Sequence, residues 1–250
     1  MKTSIAIVSG KGGVGKTTLA VNLAAALHQF GIKTVAIDGD STASNLALHL
    51  NMEPTENTLQ NVLKGEIDIL DAIHVHPSGI MVIPSSFGLR NIEFDARLLR
   101  GLYRKLNSLV IVDAPPGFVN DVFSIIESVE KIIIVTTPEI PAIADALKII
   151  KYTSDIGKEE NIIGVVVNMV RNKKYEVNIP EIEISLEIPV IARIPYDNEV
   201  KKSIFYRTPL IIYNPYSKAA VEIKQLAAWL IGKEYKPSFY ERVRGLFRLR

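Results

Sequence analysis

The sequence predicts an α/β fold: a three-layer, doubly wound, mainly parallel sheet with helices on both faces. Three observations predict it. Short Val/Ile-rich runs alternate with helical patterns along the 250 residues, as right-handed βαβ crossovers require. Those runs are continuously apolar, which suits strands covered on both faces. A glycine-rich turn follows the first run and opens the first helix, the setting of a phosphate-binding loop.

The elements follow in order. Residues 4–9, "SIAIVS", read as a strand, and 15–29 as a helix that Gly31 stops. Residues 33–38 and 79–84 are the next strands, and a helical stretch covers about 93–106. "LVIVDAPPG" at 109–117 is an apolar strand ending at an aspartate. Strands at 131–138 and 161–169 flank a helix at 143–156, a strand follows at 189–195, and a helix at 217–230 closes the domain. The expected division is a P-loop domain at 1–232 and a hinge with a basic terminal helix at 233–250. Lys236-Pro237-Ser238 serves as the hinge.

Composition removes several chemistries. The chain has no cysteine, so disulfides, thiol nucleophiles and cysteine-held clusters are excluded. Its four histidines lack a metal-ligand spacing, and His74-Val75-His76 reads as a surface turn before Pro77. No apolar run reaches the ~18 residues of a membrane span. With no signal-peptide pattern, a cytoplasmic protein is expected. The net charge of +2 is uneven: residues 233–250 hold six Lys/Arg against two Glu, leaving the remainder at −2. A basic tail on a near-neutral body suggests an anionic partner for the tail.

Gly10-x-x-x-x-Gly15-Lys16-Thr17 matches the P-loop pattern in its strand–turn–helix context. Glycines let the backbone aim its N–H groups inward at phosphate oxygens, and the helix amino terminus adds partial positive charge. Lys16 is placed to reach the β- and γ-phosphates, and Thr17 to offer its hydroxyl to Mg²⁺. Asp38 and Asp40 leave a strand's carboxyl end beside this loop, where α/β sites are built. Asp113 ends another strand, as a Mg²⁺-holding aspartate does.

The full string Gly10-Lys11-Gly12-Gly13-Val14-Gly15-Lys16-Thr17-Thr18 resembles the deviant Walker A motif of the MinD/ParA ATPase family. The resemblance implies a slow, Mg²⁺-dependent ATPase that forms a homodimer with ATP. It implies that Lys11 crosses the dimer interface to the partner's phosphates, offsetting repulsion between two triphosphates. It gives Asp40 the attacking water, Asp38 a supporting place in the Mg²⁺ shell, and Asp113 with Gly117 the switch that follows the γ-phosphate. It makes Asn168 in "GVVVNMVR" a reader of the adenine edge, with Arg171, Pro195 and Asp197 near the base.

The tail "SFYERVRGLFRLR" places Phe239, Val243, Leu246 and Phe247 at i, i+4, i+7 and i+8, one face of a helix. Arg244 and Arg248 point away and Arg242 flanks them. Such a short basic amphipathic helix suits a bilayer surface, and it resembles the membrane-targeting end of MinD proteins. Together these imply a protein peripheral to the inner face of the cell membrane when ATP-bound. It would position division or other polar machinery under an unidentified protein partner that stimulates hydrolysis. A ParA-like DNA-segregation ATPase is the alternative, disfavoured by the slightly acidic body because phosphate contacts dominate DNA affinity. An iron–sulfur carrier or protein-targeting ATPase is the third; the Pro115-Pro116 pair favours it and the missing cysteines oppose it.

Overall fold

The computed structural model describes residues 3–41, 45–86 and 95–237. Eight strands form one sheet: β1 (Ser4–Val8), β2 (Thr34–Asp38), β3 (His74–Val75), β4 (Met81–Ile83), β5 (Leu109–Asp113), β6 (Lys131–Thr136), β7 (Ile162–Val170) and β8 (Val190–Pro195). Their spatial order is β3-β4-β2-β5-β1-β6-β7-β8. Every neighbouring pair is parallel except β3–β4.

The helices of the described residues are α1 (Lys16–Gln29), α2 (Asn45–His49), α3 (Leu59–Leu63), α4 (Leu99–Leu106), α5 (Asn120–Ser128), α6 (Ile140–Asp155), α7 (Ile179–Leu186), α8 (Asn198–Phe205), α9 (Leu210–Tyr213) and α10 (Lys218–Leu230). The pleat sends alternate residues of each strand to opposite faces, so one sheet feeds two cores. Ile5, Ile7, Leu109, Ile111, Ile133 and Val135 join α1, α2, α9 and α10. Ala6, Val8, Val110, Val112, Ile132 and Ile134 join α3 through α7. This double burial is why the central strands read as unbroken apolar runs.

Helix α1 is buried along most of its length and packs on α10 and the sheet. Ala20, Ala24 and Ala26 on α1, with Ala219, Ala220 and Ala227 on α10, belong to this core with no more than about 1% exposure. Small side chains let the two backbones approach closely. Truncating the fully buried Leu23 to Ala would cost ~2–5 kcal/mol in lost transfer energy and a cavity.

The strand expected to end at Asp113 does so, and Pro115 and Pro116, which cannot donate to a ladder, follow it. Other elements depart from their expected bounds. The stretch near 93–106 is a 3₁₀ turn at Ala96–Leu98 followed by α4, and residues 93 and 94 lie outside the described part. His74-Val75-His76 is more than a turn. His74 and Val75 pair antiparallel with Val82 and Met81, and the turn closes behind them through a Gly79 N–H bond to the His76 carbonyl. Helix α6 begins three residues before the expected start, at Ile140, because Pro141 is tolerated in a first turn. Core packing ends at Leu230 and Ile231. The proposed tail helix, Phe239 through Arg248, lies outside the described residues.

Candidate nucleotide site

The site forms at the carboxyl ends of β1, β2 and β5, which are hydrogen-bonded neighbours in the sheet. The chain leaves β1 at Val8, turns through residues 9–15 and enters α1 at Lys16. Gly15 sits at the helix N-cap with φ 93° and ψ 26°, a left-handed conformation that favours glycine. A Cβ there would also stand 2.4 Å from the Asn168 amide nitrogen. No side chain caps the first turn of α1 and no acidic residue occupies it. Its backbone N–H groups and partial positive charge therefore suit an anion.

Lys16 is 6% exposed, and its ammonium donates to Ser9 Oγ at 2.7 Å. Ser9 Oγ donates in turn to the Lys11 carbonyl at 2.7 Å, tying the lysine to the crown of the loop. Burial lowers the Lys16 pKa, opposed by the charges of Asp113 and Asp40. Residues 10–18 thus present one buried cation, a free helix end and small residues. Val14 is the exception, buried beneath the loop with its carbonyl accepting from Asn168 Nδ2 at 2.7 Å. Thr18 lies one residue further along α1, and its carbonyl accepts from Asn22.

Asp113 faces this loop from the end of β5. Its carboxyl is buried, accepts from the Thr17 hydroxyl, and feels Lys16 and Asp40. Burial, the largest influence, pushes its pKa up to about 7. Its Oδ1 has no hydrogen-bond partner. An orphaned buried carboxylate oxygen is costly. Beside the Thr17 hydroxyl it has the donor chemistry that a hard divalent cation such as Mg²⁺ takes. The residues present fit that ion.

Asp38 and Asp113 are cross-strand neighbours in the register of β2 and β5. Asp38 spends its oxygens on backbone: Oδ1 accepts from Asp40 N at 3.2 Å and Oδ2 from Leu46 N at 3.1 Å. Burial, then the Asp113 charge, raises its pKa well above the carboxylate range. It shapes the turn that aims Asp40. Asp40 is 6% exposed; its Oδ2 accepts from Asn45 Nδ2 and its carbonyl from Ser85 Oγ.

The residue that permits this arrangement is Gly39, which the motif reading passed over. Its N–H donates to the Asp113 carbonyl at 2.8 Å, and a Cβ would lie 2.8 Å from that same oxygen. Two aspartates around a glycine at a strand end are the sequence signal for it. Ser9, Ser85 and Asp121 were also passed over. Asp121 accepts from the Ser41 hydroxyl at 2.5 Å. Ser85 reaches Asp40 from beyond β4, a contact that 45 residues of separation conceal.

Lys11 is half-buried, and its ammonium lies 3.2 Å from Glu139 Oε2, the residue that precedes α6. Gly117 has φ +91° after the proline pair. The groups expected near the base are each engaged within the protein. Asn168 donates to the Val14 carbonyl through Nδ2 and its Oδ1 accepts from Met169 N, which leaves one N–H and one lone pair for a further contact. The Arg171 guanidinium lies 4.1 Å from the centroid of the Tyr196 ring, one residue past Pro195, which ends β8. Asp197 accepts from Glu199 N at 2.9 Å and Ala219 N at 3.2 Å, joining the amino ends of α8 and α10.

The comparisons agree with this geometry. The CobQ/CobB/MinD/ParA nucleotide binding domain matches residues 5–210. An uncharacterised ATP-binding protein of Methanocaldococcus jannaschii is 41% identical, with the match covering 99% of this chain and 97% of that protein. The cell-division ATPase MinD of Pyrococcus furiosus superposes with TM-score 0.85 at 32% identity, covering 93% of this chain and 99% of that one. MinD of Pyrococcus horikoshii, complexed with Mg-ADP, gives 0.83 at 28% identity over the whole of both chains. Phosphate loop, strand order and overall similarity converge, and the chain belongs to the CobQ/CobB/MinD/ParA nucleotide-binding family.

Proposed function

We propose that the protein is a Mg²⁺-dependent ATPase that dimerises with ATP, meets the membrane through its C-terminal helix, and leaves it after hydrolysis. The observation that carries the catalytic part is the unpartnered Asp113 Oδ1 beside Thr17 and Lys16, under an uncapped helix end. The relatives that bind ATP or Mg-ADP support the nucleotide.

Each residue then has a task. The N–H groups of residues 10–18 cradle the phosphates, and Lys16 moves from Ser9 to a phosphate oxygen. Thr17 and Asp113 hold Mg²⁺, whose bound charge offsets that of the β- and γ-phosphates. Asp40, fixed by Asn45 and Ser85, orients the attacking water. Lys11 exchanges Glu139 for the partner's phosphate. An exposed ion pair is worth only ~0–1 kcal/mol, so a triphosphate competes for that lysine easily. Gly117 follows the γ-phosphate and conveys its presence.

The tail reading rests on residues 238–250 alone. Each large apolar side chain supplies ~1.5–3 kcal/mol when buried, and each arginine near anionic lipid ~1 kcal/mol. Ordering the helix takes much of this back. A single tail binds marginally and two tails in a dimer bind firmly through effective concentration. Among the described residues no helix is long and apolar enough to cross a membrane.

Phosphate release and vesicle co-sedimentation test the proposal. Asp40→Ala is expected to abolish hydrolysis while sparing ATP binding. Native protein is expected to bind phosphatidylglycerol vesicles only with ATP, and a chain ending at Pro237 not at all. Normal turnover by the first variant, or equal vesicle binding by the second, overturns the corresponding part.

A further inference from the structure

The opposite end of the sheet carries a second feature that the nucleotide reaction does not use. A cleft of about 480 Å³ opens at the amino ends of β1 and β5, where Ser4 and Val110 are register partners. Arg100, Arg104 and Lys158 line it, with Ser108 and Asn161 as further polar groups, and Glu130 is the only acid among the lining residues. The Glu130 carboxylate already accepts from the Thr3 hydroxyl at 2.8 Å.

The basic residues around α4 divide into two sets. Arg97 pairs with Asp95 and Glu127, and Lys105 with Asp68. Arg100 and Arg104, one helical turn apart, face the cleft and make no ion pair among the described residues. Lys158 approaches from the other wall. Its ammonium donates to the carbonyls of Ile126, Glu127 and Val129 at 2.6–3.3 Å, and it lines the cleft together with the arginines. Burial lowers the Lys158 pKa, and the Arg100 charge lowers it further. Like charges gathered in a recess repel one another, and an anion relieves that repulsion. Forked guanidinium donors one turn apart suit phosphate oxygens.

We infer that this cleft is a second anion site, one that takes a phosphate group through Arg100 and Arg104 with Lys158 at its back. The chain's exit adds a geometric reason for a lipid source. Tyr235 packs on Phe30 at the end of α1, with ring centroids 5.8 Å apart. Lys33, three residues on, reaches the Leu106 carbonyl beside the root of the cleft. The segment leading to residue 238 and the cleft therefore share one end of the molecule. A phospholipid headgroup would meet both, whereas a free phosphate compound needs only the cleft. The lipid source rests on the tail reading; the phosphate site itself does not.

The test uses the full chain saturated with Mg-ADP and titrated with glycerol 3-phosphate, followed through the amide NMR shifts of Ser108, Gly157 and Asn161. Saturable shifts are expected there, weakened at least ~tenfold, or ~1.4 kcal/mol, in Arg100→Ala/Arg104→Ala and less so in Arg100→Lys/Arg104→Lys, which keeps the charge but loses the fork. Shifts confined to residues 10–18, or equal in native and Ala variants, overturn the inference. Phosphatidylglycerol vesicles with ATP separate the sources. A several-fold loss of binding by the Ala variant, tail intact, assigns a lipid headgroup. Unchanged vesicle binding with lost glycerol 3-phosphate binding assigns a free phosphate compound. Loss of vesicle binding on truncation at Pro237 reports on the tail alone, so the two readings fail separately.

Discussion

The two ends of the sheet handle charge in opposite ways. At the carboxyl end, Lys16, Asp38, Asp40 and Asp113 are almost fully buried around the ends of neighbouring strands. Burial is the largest influence on the pKa values of Lys16, Asp38 and Asp113, ahead of neighbouring charges and the Thr17 hydrogen bond. At the amino end, Arg100 and Arg104 are exposed, with one wall of carbonyl-anchored lysine. Buried charges in low dielectric interact strongly and are costly when unpaired, whereas exposed charges are screened. The first end is therefore built to sense one charged group entering or leaving. At the second, screening by solvent weakens each charge's influence on its neighbours.

That contrast can be broken first at Lys16. Lys16→Ala removes the buried cation and leaves Asp113 and Asp40 uncompensated, so nucleotide affinity is expected to fall by at least ~100-fold, the scale of a lost buried charge pair. Equilibrium binding of a fluorescent ATP analogue checks this. Asp113→Asn comes next. It keeps the Thr17 contact but loses the anionic oxygen, so Mg²⁺ dependence of nucleotide binding is expected to fall ~10–100-fold, as for a lost metal ligand partner.

The pH response sharpens the same comparison. Asp113 has a folded pKa of about 7 against 3.8 unfolded, so between those values the folded state binds more protons. Stability of the nucleotide-free protein therefore falls as pH rises through that window, and Asp38 shifts in the same direction. The melting temperature is expected to be higher at pH 5.5 than at pH 7.5, with a smaller difference in Asp113→Asn. Mg²⁺ affinity runs the other way, rising toward pH 8, because the cation needs the deprotonated carboxyl.

Smaller effects follow. Gly39→Ala must move both the Asp113 carbonyl and the Ile125 side chain, at a cost of ~1–3 kcal/mol, measurable by urea denaturation. Glu139→Gln frees Lys11 from an exposed pair, and ATP-dependent dimerisation is expected to strengthen only a few-fold. Analytical ultracentrifugation reads that shift.

Much of this was legible from local pattern. The glycine spacing of residues 10–18, the apolar strands and the aspartates at their ends mark an α/β phosphate-binding site before any coordinates. Helices α2, α3, α5, α7, α8 and α9 were not legible, because four to nine residues give too short a period to separate from loop. Asn168 shows a second limit. A strand-end asparagine pointed to a base, and the fold brings its amide to Val14, 154 residues away. Asp197 similarly reads as a site residue and joins two helices.

The sequence by itself determined the phosphate-loop pattern, since glycine spacing and an uncapped helix start are properties of adjacent residues. It also determined which runs become central strands, through their unbroken Val/Ile content. Only the tertiary structure decided that Asp113 keeps one oxygen without a partner, that Lys11 rests on Glu139, and that two arginines of α4 share a cleft with a lysine from the α6–β7 connection. Those outcomes depend on which strands become neighbours, and strand order is a long-range choice that no local periodicity encodes.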